Sequence, residues 1–396
     1  MDLHFGVGLI TAMLAAALIV GIIAERIHIP YSVALLIAAT PIHVNGLEQH
    51  FESSLLFVFL PLLIFEAAWN VDTRLLRTNW APVFLMAVPG VLLTAGLVGF
   101  GLSLFNQLPF MPALLLGAIL SATDPVALIP ILRRLAVPHE LAAIVEGESL
   151  LNDGVAIVLY TLLVGAVVNG TSLDALTFLG KSLLVSAGGV LIGVVVALAI
   201  AFLLRLTNER LLYFVASVVA LFIAYLGAEH FHFSGIFAAV STGIALVATI
   251  RYPPNFTPQD IGSFWAVLAF FANSLVFLLM GLRIDFPSAW HQPLLLALTI
   301  GFVLLARLFL AYAAFPLTKP GVPFAWRNVI ALSGMRGAIS IALALNLPNA
   351  TPFRVQIIDA TFGVVLITLV VQGIALGPSL KRMQLSANPA RAASSA

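Results

Sequence analysis

The sequence predicts an all-α polytopic membrane protein, and three observations lead to that fold class. Hydrophobic residues make up 61% of the 396 residues and charged residues only 9%, with a mean hydropathy of +1.11. A soluble domain carries about a quarter charged residues and about half apolar ones. Apolar stretches of bilayer-crossing length recur along the chain, and the basic residues between them fall mainly on one side of the membrane. The chain is therefore predicted to cross a membrane many times as a single domain.

About 13 transmembrane helices are predicted, each from an apolar stretch bounded by charged residues, Pro or Gly. The second stretch is short and contains Pro41, which makes it the weakest of the series. The first is long enough to remain as a spanning helix, so no cleaved signal peptide is expected. The predicted spans are 5–24, 31–44, 53–69, 80–104, 111–132, 140–167, 176–204, 211–229, 233–249, 264–282, 293–315, 326–347 and 356–380.

The basic residues predict the topology. Of the 18 Lys and Arg residues, 13 follow odd-numbered spans, whereas three lie on the other side and two lie inside spans. Positive loops stay in the cytoplasm, so we expect a multi-pass cell-membrane protein with its N-terminus outside and its C-terminus in the cytoplasm. The 13 are Arg26, Arg74, Arg77, Arg133, Arg134, Arg205, Arg210, Arg251, Lys319, Arg327, Lys381, Arg382 and Arg391.

Composition excludes several classes of function. The formal net charge of +1 does not suit a nucleic-acid binder. The absence of cysteine excludes disulfides, thiolate metal sites and thiol catalysis. An ATP-driven pump is not expected without a Gly-rich phosphate loop, and a channel is not favoured without a repeated filter-like segment. No cofactor is expected.

Several charged side chains fall inside predicted spans, where burial in hydrocarbon is costly and each charge is a candidate functional residue. Span six contains the most charged residues, and its acids and an amide lie within one short stretch. These charged residues are Glu66 in span three, Asp124 in span five, Glu146, Glu148 and Asp153 in span six, Arg307 in span eleven and Arg336 in span twelve.

The spacing of the polar residues in span six predicts an oxygen-rich site. On a helix, Ser149 and Asp153 lie one turn apart on the same face, as do Glu148 and Asn152. Ser149 and Asp153 therefore offer oxygen ligands of the kind that hard cations such as Na⁺ prefer. The alternative is a packing network in which these side chains satisfy one another. Glu146 lies nearer the end of the span, where water can solvate it.

Spans five and twelve are predicted to be discontinuous. Pro125 follows Asp124 and cannot donate a backbone hydrogen bond, so nearby carbonyl groups need another partner, although an ordinary proline kink is the alternative. Gly334 and Gly337 flank Arg336 in span twelve. Paired interruptions in spans one to six and eight to thirteen predict two inverted repeats with crossed discontinuous helices. There, Arg336 is expected to offset negative helix ends and Asp124 positive ones.

Seven short motifs carry a family resemblance, and the pair Asn152-Asp153 makes it specific, since Asp153 lies 29 residues after Asp124. Together they resemble the sodium–proton antiporters of the NhaP/NHE type, within the monovalent cation–proton antiporter superfamily, over essentially the whole chain. The motifs are FLPLLIFEAA at 59–68, TDPVA at 123–127, EGESLLNDG at 146–154, FSGI at 233–236, NSL at 273–275, AR at 306–307 and GMRGA at 334–338.

The resemblance implies a division of the spans into two parts. A six-helix core bundle with two crossing broken helices would occupy approximately 80–167 and 293–380. A dimerisation part would occupy approximately 1–70 and 211–282 and form a homodimer, and 176–204 would be a linker helix. Many relatives also carry a long cytoplasmic regulatory domain, and no such domain is expected here.

The resemblance also implies a function and a site. Na⁺ (or Li⁺) would be exchanged for H⁺ across the bilayer by alternating access, with the two ions competing for Asp153. Asp124, Ser149 and Asp153 would supply side-chain oxygens to Na⁺, with the Thr123 carbonyl nearby and Asn152 stabilising the site. Two further residues, Glu148 and Arg307, would form a structural ion pair.

The sequence also bears on the net charge moved in each transport cycle and leaves two alternative functions. Electrogenic members of the superfamily carry Asp where Asn152 stands, so electroneutral 1:1 exchange is expected here. K⁺/H⁺ exchange by the same fold remains an alternative, because oxygen ligands alone do not separate the alkali cations. An intramembrane aspartyl protease could use Asp124 and Asp153 as a shared-proton dyad. The helix-breaking sequence at 123–125 and the adjacent amide suit ion binding better.

Overall fold

The computed structural model describes residues 3–27, 31–39, 54–124, 129, 132, 137–170, 175–283, 292–318 and 322–382. Every regular element in these ranges is helical, which confirms the all-α prediction. The α-helices are α1 (Leu3–Ile27), α2 (Tyr31–Ala39), α3 (Ser54–Asn70), α4 (Thr73–Thr78), α5 (Trp80–Ala87), α6 (Pro89–Leu104), α7 (Phe110–Ile119), α8 (His139–Asn169), α9 (Ala175–Leu204), α10 (Arg210–His230), α11 (Gly235–Thr249), α12 (Pro258–Arg283), α13 (Pro293–Phe309), α14 (Phe324–Leu332), α15 (Ala338–Leu345) and α16 (Arg354–Arg382).

Many of these helices have the length and composition of membrane spans. Within the described residues, seven helical segments are long and apolar enough to cross a bilayer. One segment runs through α5 and α6, one runs through α13 into the turn that follows it, and the others belong to α8, α9, α10, α12 and α16. Shorter apolar helices include α7, α11 and the second part of α3. A polytopic membrane fold is therefore confirmed, and these segments are compatible with the predicted spans.

The two spans predicted to be discontinuous are interrupted. Helix α7 ends at Ile119, and the backbone from Ala122 to Asp124 is not helical. Helix α14 ends at Leu332, and α15 starts at Ala338 after a short non-helical segment. Pro125, to which the first break was attributed, lies outside the described residues, as does Pro41.

Two other spans depart from a plain α-helix in ways that the apolar pattern did not indicate. The fourth predicted span is divided at Val88, immediately before a proline that begins α6. The eleventh continues past α13 as a π-helix (Leu310–Ala314) and then a 3₁₀ turn (Phe315–Leu317). Hydropathy indicates which segments are buried but not their hydrogen-bond register, so it does not predict helix breaks, π-helices or 3₁₀ turns. The π-helix lies directly after the turn that carries Arg307.

The helices pack as two groups. Helices α5 to α8 pack against one another and against α13, α15 and α16, while α1 to α3 pack with α10, α11 and α12. Helix α9 lies mainly against α10 and α11. The groups meet where α3 contacts α8 and where α12 contacts α15. Large apolar side chains such as Leu183, Leu191 and Phe202 are exposed on α9, as expected of a surface that faces hydrocarbon.

Candidate functional site

The two interrupted spans meet at a crossing that backbone and arginine contacts hold together. The Asp124 backbone N–H donates to the Met335 carbonyl at 2.9 Å. The Arg336 guanidinium donates from Nη1 to the carbonyls of Ser121 at 2.8 Å and Ala122 at 3.2 Å. These carbonyls follow the end of α7, where a helix leaves its last acceptors unsatisfied and carries partial negative charge. Arg336 from one break therefore closes the helix end at the other.

The Asp124 carboxylate lies on the opposite side of the crossing, against the start of α15. Gly337 precedes α15, and a Cβ at this position would overlap the Asp124 side chain. Only a glycine leaves room for this approach. Asp124 is buried, and the first turn of α15 presents backbone N–H groups whose partial positive charge favours an anion.

Helix α8 supplies the polar side chains that face the crossing. It begins after Pro138 and ends at Asn169, and the capping residue Gly170 has a positive φ of 63°, which suits a glycine at a helix C-terminus. Between these ends, Ser149, Asn152 and Asp153 are buried in the middle of the helix. Their spacing of three and four residues places them on one side of α8, and α8 packs against α7.

Thr123 connects these side chains to the crossing. Asn152 donates from Nδ2 to the Thr123 hydroxyl at 2.7 Å, and the same hydroxyl is 3.0 Å from the Ser149 hydroxyl. The Thr123 backbone N–H donates to the Asp153 carboxylate, whereas Asp153 Oδ1 has no hydrogen-bond partner among the described residues. Thr123 was expected near the site through its carbonyl, and the structure adds its hydroxyl and amide.

A cavity of about 260 Å³ opens onto this site between the two helix groups. Asp124 and Asp153 line it together with Glu66 and Glu146, so four acids share one space. Glu66 accepts a hydrogen bond from Asn70 Nδ2 at 2.8 Å. A concentration of carboxylates in a cavity of low dielectric attracts cations.

A second charged arrangement on α8 does not line this cavity. Arg307 and Glu148 form a two-point ion pair, through Nη1 to Oε1 and through Nη2 to Oε2, the latter at 3.0 Å. Arg307 also donates from Nε to the Ile330 carbonyl at 2.8 Å and from Nη2 to the Ser333 hydroxyl at 2.9 Å. Both charged side chains are buried. Arg307 thus closes the end of α14, as Arg336 closes the end of α7.

The structure sorts the candidate residues into three places. Asp124, Thr123, Ser149, Asn152 and Asp153 come together at the crossing, the Glu148–Arg307 pair lies apart, and Arg336 lies at the end of α7. Sequence reasoning missed the parts played by two neighbours of Arg336, the Ser333 hydroxyl and the Met335 carbonyl. The Ser333 hydroxyl could have been suspected, because a serine directly precedes the glycine at the helix interruption. The Met335 carbonyl could not, because every residue type has a backbone carbonyl.

The sequence is similar to a known family of membrane proteins over most of its length. The family described as "Sodium/hydrogen exchanger, transmembrane" matches residues 14–382. The chain belongs to this family. It is 35% identical to the Na⁺/H⁺ antiporter ApNhaP of Aphanothece halophytica, over 90% of this chain and 70% of the relative. It is 32% identical to the Na⁺/H⁺ antiporter NhaP of Pseudomonas aeruginosa, over 84% of this chain and 82% of that protein.

The solved structures show the same fold. The sodium–proton antiporter MjNhaP1 of Methanocaldococcus jannaschii superposes with a TM-score of 0.81, covering 97% of this chain and 100% of that one at 22% identity. The resemblance to monovalent cation–proton antiporters is therefore confirmed. Members of this exchanger family are secondary transporters and not enzymes, so the protease alternative is set aside.

Proposed function

We propose that this chain exchanges Na⁺ (or Li⁺) for H⁺ across a membrane, at a site formed by Asp153, Asp124, Ser149 and Thr123. The observation that carries the proposal is the position of Asp124 and Asp153, two buried carboxylates at the crossing of interrupted helices that line one cavity. Na⁺/H⁺ antiport is also the function in the names of its relatives. Hydroxyl and carboxylate oxygens are ligands that a hard cation prefers.

Asp153 is the group for which we propose that Na⁺ and H⁺ compete. One of its oxygens is held by the Thr123 backbone N–H, while Oδ1 has no partner among the described residues, and the residue lines the cavity. A bound cation and a bound proton each neutralise the same carboxylate, so the two states exclude each other. Mass action on either side then sets the direction of exchange.

The proposed stoichiometry is one Na⁺ for one H⁺. Asn152 has no titrating proton, and its Nδ2 is used to fix Thr123. Asp124 lies against the start of α15, where the helix end stabilises the ionised form. Asp153 is then the one member of this set that changes its proton occupancy during the cycle.

The two helix groups suggest how the site is presented to each side. The group containing α5 to α8 and α13 to α16 carries the crossing, and we propose that it moves against the group containing α1 to α3 and α10 to α12, with α9 as linker. The second group is also proposed to form the homodimer. We propose a cell-membrane location, and the distribution of basic residues supports an orientation with the N-terminus outside and the C-terminus in the cytoplasm.

The proposal is tested in everted vesicles or proteoliposomes by following a pH dye while Na⁺, Li⁺ or K⁺ is added. Wild-type protein is expected to move protons on addition of Na⁺ or Li⁺, and Asp153→Ala and Asp124→Asn are expected to abolish this signal without preventing membrane insertion. Glu140→Gln is the matched control, because Glu140 is an exposed acid on the same helix. Robust exchange by Asp153→Ala contradicts the site, and a response to K⁺ alone selects the K⁺/H⁺ alternative.

A further inference from the structure

Asn273 of α12 lines the same cavity as Asp124 and Asp153, and the proposed exchange does not yet use it. The side chain is only 5% exposed. Its Oδ1 has no hydrogen-bond partner within the described residues. Leaving a buried carbonyl oxygen without a partner costs free energy that a hydrophobic residue of similar size would not cost. Such a group in a native protein therefore needs an explanation, and a ligand is one.

The face of α12 that borders the cavity is otherwise apolar. Ala266, Ala269, Phe270 and Asn273 line the cavity, and their spacings of three and four residues place them on one side of the helix. Asn273 lies about 22 Å along α12 from Pro258, at about 1.5 Å per residue. At that depth in a membrane-spanning helix, a polar side chain has few alternatives to a partner inside the protein.

Contacts of the residue after Asn273 hold α12 against a neighbouring helix. Ser274 donates to the Phe270 carbonyl at 2.6 Å and is 2.7 Å from the Tyr31 hydroxyl. Tyr31 also stacks on Phe270 with ring centroids 4.9 Å apart. Ser274 is thus satisfied by contacts that hold α12 against α2, whereas Asn273 lines the cavity and its buried carbonyl oxygen has no hydrogen-bond partner among the described residues.

We propose that the Asn273 side-chain carbonyl is a ligand of the transported cation, supplied by the helix group opposite Asp124 and Asp153. The inference rests on the proposed Na⁺/H⁺ exchange and names a residue that determines its specificity. An amide oxygen joins the ligand shell of a hard cation, but it does not take up a proton in the physiological range. Asn273 therefore strengthens cation binding without strengthening proton binding, and it biases the competition at Asp153 toward the cation.

Two substitutions at this position separate a ligand from a packing residue. Asn273→Leu keeps the approximate volume and removes the oxygen, and we expect the apparent KM for Na⁺ to rise about tenfold with a smaller change in maximal rate. Asn273→Asp keeps the shape and makes the oxygen a carboxylate, and at alkaline pH, where protons compete least, we expect that KM to fall several-fold. Ser274→Ala is the matched control, because this adjacent side chain is buried but does not line the cavity. Its Na⁺ KM should equal that of the wild type.

Thermal unfolding of the purified protein gives an independent measurement. Na⁺ that binds the folded state raises Tm. In Asn273→Leu the Tm without Na⁺ should not fall, since the Asn273 carbonyl oxygen has no hydrogen bond among the described residues to lose, whereas the Na⁺-induced increase should shrink. A fall in Tm without Na⁺, combined with an unchanged Na⁺-induced increase, would show a packing role and overturn the proposal.

The outcomes distinguish this inference from the proposed function. If wild-type protein exchanges Na⁺ for H⁺ and Asn273→Leu has an unchanged KM, the assignment of Asn273 is wrong and the proposed function stands. If wild-type protein does not respond to Na⁺, the proposed function itself fails. Should Asn273→Leu not be recovered from the membrane, Asn273→Asp is the deciding variant, because a Na⁺ KM that does not fall at alkaline pH contradicts a ligand role.

Discussion

Helix α8 carries two buried acids five residues apart, Glu148 and Asp153, in very different surroundings. Glu148 is engaged at both oxygens by Arg307, whose other contacts reach Ile330 and Ser333 on a neighbouring helix end. Asp153 faces a cavity, and its Oδ1 has no hydrogen-bond partner in the described part of the chain.

This difference separates a charge that holds the fold from a charge that can exchange its ligand. Removing Arg307 from Glu148 would strand a charge in the interior of a membrane protein, so this pair stays together. A carboxylate that lines a cavity and is not paired with an arginine can bind a cation or a proton and release it again. Similar residue types on one helix thus serve stability and transport, and their partners decide which.

The largest expected effect tests the stability side of this comparison. Glu148→Ala leaves Arg307 buried without its counter-ion, which typically costs about 3–5 kcal/mol. We therefore expect a large fall in the thermal stability of the purified protein and a much smaller change in the Na⁺ dependence of any remaining exchange.

A double-mutant cycle shows whether the two charges act as a pair. Glu148→Ala combined with Arg307→Ala removes both charges, so part of the lost stability should return relative to the sum of the single variants. Recovery should be incomplete, because Arg307 also donates to Ile330 and Ser333. Additive losses would mean that the ion pair contributes no coupling energy.

A smaller effect is expected from substitution of the two glycines that flank Arg336. Gly337 lies next to Asp124 at the proposed transport site, and Gly334 lies next to Arg307 of the ion pair. A Cβ at Gly337 would overlap Asp124, whereas a Cβ at Gly334 would meet the Arg307 side chain at 3.2 Å or more. We expect Gly337→Ala to displace Asp124 and slow exchange about tenfold, equivalent to about 1.4 kcal/mol.

Gly334→Ala is the matched control for that substitution. Its new methyl group meets the Arg307 side chain at 3.2 Å or more and does not contact Asp124, so exchange should stay closer to that of the wild type than in Gly337→Ala. Initial rates of dye dequenching at equal protein content compare the two variants. Equal rates for both would mean that the contact between Gly337 and Asp124 does not matter for transport.

How much of this arrangement the sequence could predict depends on the distance between interacting residues. The intramembrane charges stand out in an apolar chain, and Ser149 and Asp153 are related by local helical spacing, so both were accessible from the sequence. The interrupted spans were accessible as well, because Pro and Gly leave local signals.

Contacts between distant segments were less accessible. The Asp124 N–H binds the carbonyl of Met335, and every residue type except proline has both groups, so the register of the crossing leaves no trace in composition. The π-helix after α13 and the lack of a hydrogen-bond partner for the Asn273 side-chain carbonyl among the described residues likewise depend on packing against other helices. Local patterns identify the polar residues, and the tertiary fold determines which of them remain without a partner.

The smallest expected effect is the response of transport to voltage, and it tests whether one exchanging carboxylate is enough. Asp153 trading one Na⁺ for one H⁺ moves no net charge, whereas a cycle that carries one extra proton would gain about 2.3 kcal/mol per 100 mV of membrane potential. In proteoliposomes with the potential set by valinomycin and K⁺ gradients of either sign, rates and final pH gradients should match those at zero potential. The same gradients without valinomycin control for direct effects of K⁺. Transport that follows the imposed voltage would show a second titrating group, and Asp124, the other carboxylate at the crossing, would be the first residue to test by substitution.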